Sequence, residues 1–271
     1  MGIPSDAVGA ALDARGWRCG VTIPSEMYAA IGPYLRHAGG AQPPTIEPED
    51  WLVVLSQTCD VVAGKLDQEP LIEVLWCRPI SKRRRGYVNR RSTRQLDFRP
   101  DVEKSPSFYL TAHATRDRYV VPRELFLDHA PRTDRSLSTR AVQGLQSWYA
   151  LRYTRPAWPD EFVNLLRPLK EELEAALEGL SDDESELRVA ISGNPDLYRL
   201  AVFLIIDEAR ATEPGYRQVA LQTFGDFISI LRRCGRIEID DLSKVVVGNE
   251  FSWQAMQITE VWNFAALTPI D

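Results

Sequence analysis

The run Tyr198-Arg199-Leu200-Ala201-Val202-Phe203-Leu204-Ile205-Ile206 constrains this fold more than any other stretch. From Leu200 onward it is unbroken apolar and rich in branched side chains, as a strand buried on both faces reads. It falls well short of the ~20 apolar residues that a membrane-crossing helix needs. Gly193-Asn194-Pro195-Asp196 before it is turn chemistry, and residues 187–192 precede the turn as a second strand. The two segments predict an antiparallel pair at the centre of a sheet.

Helical spacing surrounds that pair. Asp160 to about Leu180 carries the stripe Phe162, Leu165, Leu166, Leu169, Leu173 and Leu177, with Pro168 expected to bend it. Ser138–Tyr153 has helical spacing as well, and Tyr216–Cys234 is amphipathic up to a stop at Gly235. Ile237–Ile239 and Val245–Val247 read as short strands. Ser252 is placed to cap a last helix reaching Thr259, with Trp253 and Met256 expected on its buried side and Trp262 and Phe264 clamping the tail. Residues 131–271 therefore predict an α+β domain, a sandwich with helices packed on an antiparallel sheet.

Residues 14–130 read differently. A short helix over 6–14 opens behind Ser5, and Trp17–Ile23 alternates like a strand up to Pro24; residues 25–37 have room for one more helix. Trp51–Gln57, Leu71–Cys77, Gln95–Phe98, Ser107–Thr111 and Arg118–Val121 then predict strands, the second ending at Arg78-Pro79, with Thr58–Pro70 a loop. Short strands at close spacing, with no long helix between them, predict a small barrel or a strongly curved sheet.

Charge is distributed unevenly. Between Lys82 and Arg99 stand eight basic residues, Lys82, Arg83, Arg84, Arg85, Arg90, Arg91, Arg94 and Arg99, against one acid, Asp97. That window is +7 and the remainder −13, in a chain of net charge −6. A local patch of this size attracts phosphate even where the total field repels it. Tyr87, Asn89, Ser92, Thr93 and Gln95 interleave hydrogen-bonding partners for a polyanion. Cys19, Cys59, Cys77 and Cys234 lie far apart, with three histidines, so neither a disulfide framework nor a metal site is expected. The chain reads as cytoplasmic, without a membrane span and without a cofactor.

Chemistry concentrates at the end of the strand Leu52–Leu55, which runs straight into Ser56-Gln57-Thr58-Cys59-Asp60. Strand ends are rigid mounts for reactive groups. Cys59 with His113 as base, and Asp60 or Asp117 orienting it, would make a cysteine-dependent hydrolase or transferase. Asp60 and Glu73 have the acid spacing of a metal-dependent nuclease core, but leucine stands where that pattern has lysine. Asp207-Glu208 reads as a pair of solvated loop acids.

Two resemblances add to this. Gly20-Val21, Leu52-Val53-Val54-Leu55-Ser56-Gln57, Trp76-Cys77-Arg78-Pro79-Ile80-Ser81 and Tyr119-Val120-Val121-Pro122-Arg123-Glu124-Leu125 resemble, in order, segments of the MazF/PemK endoribonuclease toxins. The resemblance spans residues 16–128 and implies an SH3-like barrel. It also implies that Ser81 and its basic neighbours face RNA, with Arg78 and Arg83 placed to stabilise a phosphoryl transition state. Separately, the Ser-Gln-Thr-Cys-Asp block resembles an element shared by uncharacterised bacterial proteins, which implies no activity.

The expectation is thus a nucleic-acid-binding protein, RNA before DNA, with cleavage and a toxin-like or defence-related role as its extension. Arg83–Arg85, Arg90, Arg91 and Arg94 would hold phosphates, with Gln57, Cys59, Asp60 and Ser81 lining the site. The alternatives are the Cys59–His113 enzyme and a non-catalytic interaction component, partnered by a second copy or another protein.

Overall fold

The computed structural model describes residues 7–35, 45–84, 87–88, 92–100, 108–154, 158–177, 180, 185–262 and 264–267. The chain is α+β and divides into two compact units, Met1–Arg83 with Arg94–Tyr149, and Arg84–Thr93 with Ala150–Asp271.

In the first unit α1 (Val8–Ala14) and α2 (Tyr28–Ile31) precede β1 (Trp51–Val54), and a single helical turn, α3 (Thr58–Val61), follows where the sequence reads as loop. Then come β2 (Leu71–Ile80), β3 (Gln95–Phe98), β4 (Tyr109–His113), β5 (Arg118–Pro122) and α4 (Thr139–Thr154), whose residues from Ala150 on belong to the second unit. Strand order is β1-β2-β4-β3, with β5 also on β2. Each face carries its own core. On one, Val8, Leu12, Ile23 and Met27 meet Leu52, Val54, Ile72, Val74 and Trp76. On the other, Leu145 and Trp148 meet Val53, Leu75, Cys77, Leu96, Phe98, Leu110 and Ala112.

The barrel expected for this half is not a closed one. Among the described residues no ladder joins β3 back to β1 or β5, so the strands form an open sheet. The expected strand Trp17–Ile23 contributes only isolated bridges, Thr22 to Val53 and Val21 to Ser136.

β2 runs past its expected stop at Arg78-Pro79. Trp76 donates its amide to Asp117 on the β4–β5 side, so by alternation the nitrogen of Pro79 points to the opposite side. There β1 has already ended, at the Trp51–Cys77 pair. The proline removes no ladder bond, which is why a strand tolerates it.

β4 and β5 pair with successive stretches of the same side of β2. Leu75 pairs with Arg118, and three residues on Arg78 pairs with Thr111, where an unbroken ladder would bring residue 115. The chain therefore makes a four-residue excursion between the pieces, the sheet's version of a large bulge.

In the second unit α5 (Asp160–Leu166) and α6 (Lys170–Ala176) are separated by a 3₁₀ turn holding Pro168, as the sequence predicts. β6 (Ser185–Asn194) and β7 (Leu197–Ile206) make the expected hairpin, followed by α7 (Glu208–Ala211), α8 (Tyr216–Arg232), β8 (Ile237–Ile239), β9 (Lys244–Val247), α9 (Trp253–Ile258) and β10 (Glu260–Val261). β6 pairs antiparallel to β7, while β8 and β9 both pair parallel to it. Phe162, Leu173, Phe227, Leu231, Trp262 and Phe264 share a core with the even-numbered side chains of β7.

Ser252 caps α9 as expected, accepting from the Ala255 amide. Trp253 and Met256 do not turn inward: they are 74% and 40% exposed. The helix is held by other means. Arg188 donates to the main-chain oxygens of Met256 and Thr259, and Phe251 packs edge-on against Phe203. Among the described residues no helix is long and apolar enough to cross a membrane.

Candidate functional site

The turn after β1 is built by backbone capture. Ser56 Oγ accepts the Glu73 amide at 2.8 Å, and Thr58 Oγ1 accepts the Cys19 amide at 3.3 Å. Beneath it lies Arg123, with no exposed surface. Its guanidinium donates to the main-chain oxygens of Asp60 (3.0 Å), Ala63 (2.9 Å) and Lys65 (2.7 Å), and more distantly to Val61. A cation set against the C-terminal carbonyls of α3 is favourable to the turn's dipole and satisfies oxygens that the short helix leaves open. The turn is thus rigidly mounted.

What it displays is less reactive than its position promises. Cys59 is exposed, and its thiol donates to the neighbouring Asp60 carboxylate at 3.3 Å. No histidine is among its hydrogen-bond partners in the described residues. His113 is committed to its own excursion, where Nδ1 accepts the amides of Thr115 (3.3 Å) and Arg116 (3.2 Å). Gln57 and Ser81 are exposed. The fold therefore does not couple Cys59 to His113 as nucleophile and base. A second thiol, Cys19, sits beside the turn, donating to Leu55 and accepting from Gln146 Nε2 at 3.2 Å. Burial pushes this thiol above its ordinary pKa, with the Gln146 hydrogen bond partly opposing.

Glu73 pairs with Arg118, whose guanidinium lies 5.1 Å from the Tyr149 ring centre. The acid is thereby neutralised rather than poised for a metal. Among the described residues no three His, Cys, Asp or Glu side chains gather as a metal site requires.

Asp117 organises the excursion. Its carboxylate, 1% exposed, takes both ends of Arg78 (3.0 and 2.8 Å) and the His113 amide (2.8 Å). Arg78 also lies over Trp76, 4.3 Å from the ring centre. The Asp117 hydrogen bonds hold Arg78 protonated beyond its ordinary range. Arg78, which the resemblance places to stabilise a phosphoryl transition state, is here bound at two points by Asp117.

The polar face of β2–β4–β3 continues from there. Leu96, Phe98, Leu110 and Ala112 fill the core on one side, so Arg78, Ile80, Gln95, Asp97, Tyr109, Thr111 and His113 share the other, where Asp97 and Thr111 are buried and the rest partly exposed. Gln95 and Thr111 are hydrogen-bonded across the strands. Tyr109 carries two arginines, Arg83 with its guanidinium carbon 5.8 Å from the ring centre and Arg99 at 5.5 Å. Arg99 also donates to the phenol oxygen. Lys82, Arg84 and Arg99 are exposed, and Arg84 in the second unit lies over Tyr87. Arg94 is half-buried. Arg85, Arg90 and Arg91 lie outside the described residues.

Sequence reasoning passed over Tyr109 and Arg123, and named Asp117 only as a group to orient the His113 ring, whereas its carboxylate holds Arg78 and the His113 amide. Tyr109-Leu110-Thr111-Ala112-His113 alternates strictly, which marks Tyr109 as belonging to the polar face. A lone Arg after Pro122 carries no comparable signal. Compared with protein-family models, curated proteins and solved structures, the chain matches none. The site rests on its own geometry.

Proposed function

We propose that the first unit binds single-stranded nucleic acid, RNA in preference to DNA, on the polar face of β2–β4–β3. The observation that carries this reading is Tyr109 with Arg83 and Arg99 attending its ring, beside the exposed Lys82. Guanidiniums held on an aromatic side chain lose little freedom when they meet phosphate, and aromatic rings stack on unpaired bases. The local positive charge stands against a chain that is negative overall, so binding rests on this patch.

Binding without cleavage fits the geometry best. Cys59 faces a carboxylate, Arg78 is committed to Asp117, and His113 Nδ1 is engaged by amides. The test is fluorescence anisotropy of labelled single-stranded RNA and DNA over a salt series, with Arg83→Ser, Arg99→Ser and Tyr109→Ala. Salt-dependent RNA binding that each variant weakens supports the reading. Absence of binding at low salt, or binding indifferent to all three, rejects it.

A further inference from the structure

We infer, resting on the binding reading above, that the polar face takes the phosphorylated end of a single strand, a terminal phosphomonoester, rather than the interior of its backbone. The register arranges this face in three rows that cross the strands. Ile80 pairs with Tyr109, and Arg99 stands opposite Tyr109 one step beyond the Phe98–Leu110 pair. Arg78 and Asp97 both pair with Thr111, and Gln95 pairs with His113.

Positive charge gathers in the first row. Tyr109 carries the Arg83 and Arg99 guanidinium carbons 5.8 and 5.5 Å from its ring centre, and Lys82, the residue before Arg83, is exposed. In the second row Arg78 is held at two points by Asp117, which also draws Arg116 to 3.5 Å. Asp97 and Thr111 are buried there. Around this row two arginines thus stand with two acids, Asp97 and Asp117. The third row offers Gln95, which donates to Thr111, and His113, whose Nδ1 accepts main-chain amides. Past Tyr109 the described residues along β4 therefore bring no excess of positive charge.

That layout selects the ligand. A protein that holds the interior of a single strand presents a basic groove that tracks the backbone. A terminal phosphate needs only one basic spot. It carries about −1.5 to −2 charge at pH 7 and spreads it over three acceptor oxygens, where an internal diester has a single charge. Two guanidiniums set around one ring, with an ammonium next in sequence, match the charge and the forked geometry of such a group. Ile80, partly exposed in the same row, gives the terminal base an apolar neighbour.

Fluorescence anisotropy on the full chain is the test, with internally labelled single-stranded RNA of about four and about sixteen nucleotides. The strands end in hydroxyls, in a 5′ phosphate or in a 3′ phosphate, and a closed circle has no end. A phosphate at one end should tighten binding at least tenfold over the hydroxyl form, equally at both lengths, and the circle should bind like the hydroxyl form. A preference at either end supports the inference, and the favoured end gives the polarity of the strand. Arg83→Ser or Arg99→Ser should abolish the preference, while Arg116→Ser, beyond the far end of β4, should leave it intact. Affinity that rises with length, is equal for circle and phosphorylated strand, and falls in Arg116→Ser would keep RNA binding and overturn the inference. No binding to any of these RNAs at low salt would instead reject the RNA reading itself, and the inference with it.

Discussion

Arg123 donates to the main-chain oxygen of Asp60 at 3.0 Å from a position with no exposed surface. The residue beside the most conspicuous thiol of the chain is thus fixed by a buried cation whose hydrogen bonds go to carbonyls. Arg123→Met leaves those carbonyls without their donor and should cost about 3 kcal/mol. Urea unfolding measures it, and limited proteolysis should show new cutting within residues 60–65. A loss below about 0.5 kcal/mol, the range of an ordinary surface change, would show that the clamp does not hold the turn.

Arg78 and Asp117 should behave as a unit. Arg78→Ala and Asp117→Asn each remove one side of a two-point, partly buried pair, at about 1–3 kcal/mol. The double variant should lose less than the sum, with a coupling of about 1 kcal/mol or more. Strict additivity in chemical denaturation would contradict the shared carboxylate.

Thiol labelling should follow burial. Cys59 is exposed and should react first; Cys77 is buried, its thiol pushed far up, and should react only on unfolding. Burial favours the neutral form of Cys19, so less thiolate is present at any given pH. Its alkylation rate should rise at higher pH than that of an ordinary thiol. Gln146→Leu removes the opposing hydrogen bond and should displace the profile further upward. Mass-spectrometric rate profiles check both directions.

Gly20 has φ +86°, and a Cβ there would stand 2.2 Å from Val142 Cγ2 on α4. Gly20→Ala should cost about 2–4 kcal/mol, of which the left-handed backbone accounts for about 1–2. Val142→Ala in the same chain should recover the steric part and leave the backbone part. Thermal unfolding of the two variants separates them.

For the polar face, Tyr109→Ala should weaken single-stranded RNA by about 1–3 kcal/mol with little change in salt dependence. Arg83→Ser or Arg99→Ser should lower the salt slope by about 0.7 each. The reverse pattern would mean that Tyr109 only supports its arginines.

Much of the second unit is legible in the sequence because its signals are long. The β6–β7 hairpin shows in the apolar runs on either side of the Gly193–Asp196 turn cluster, although the ladder extends into that cluster and leaves Pro195 and Asp196 as the turn, and Ser252 announces α9. Which side of α9 faces inward is not legible, since six residues give too little periodicity and its anchors, Arg188 and Phe251, lie outside it. In the first unit the strands are legible and their closure is not. Pro79 reads as a stop only until the neighbouring strand is known to end first. The reactive look of Cys59 and Arg78 came from position alone, and their partners, Asp60 and Asp117, decide otherwise. No local pattern reveals that Arg123 reaches back some sixty residues to cap α3.

The four-residue excursion between β4 and β5 acts as a phase break along β2. The Leu71–Leu75 ladder and the Arg78–Ile80 ladder keep separate registers, so an insertion or slip in one need not travel into the other. Sequence change at the end bearing Tyr109 can thus be absorbed before it reaches the strand leading to Arg123, leaving the polar face free to diverge over an unaltered frame.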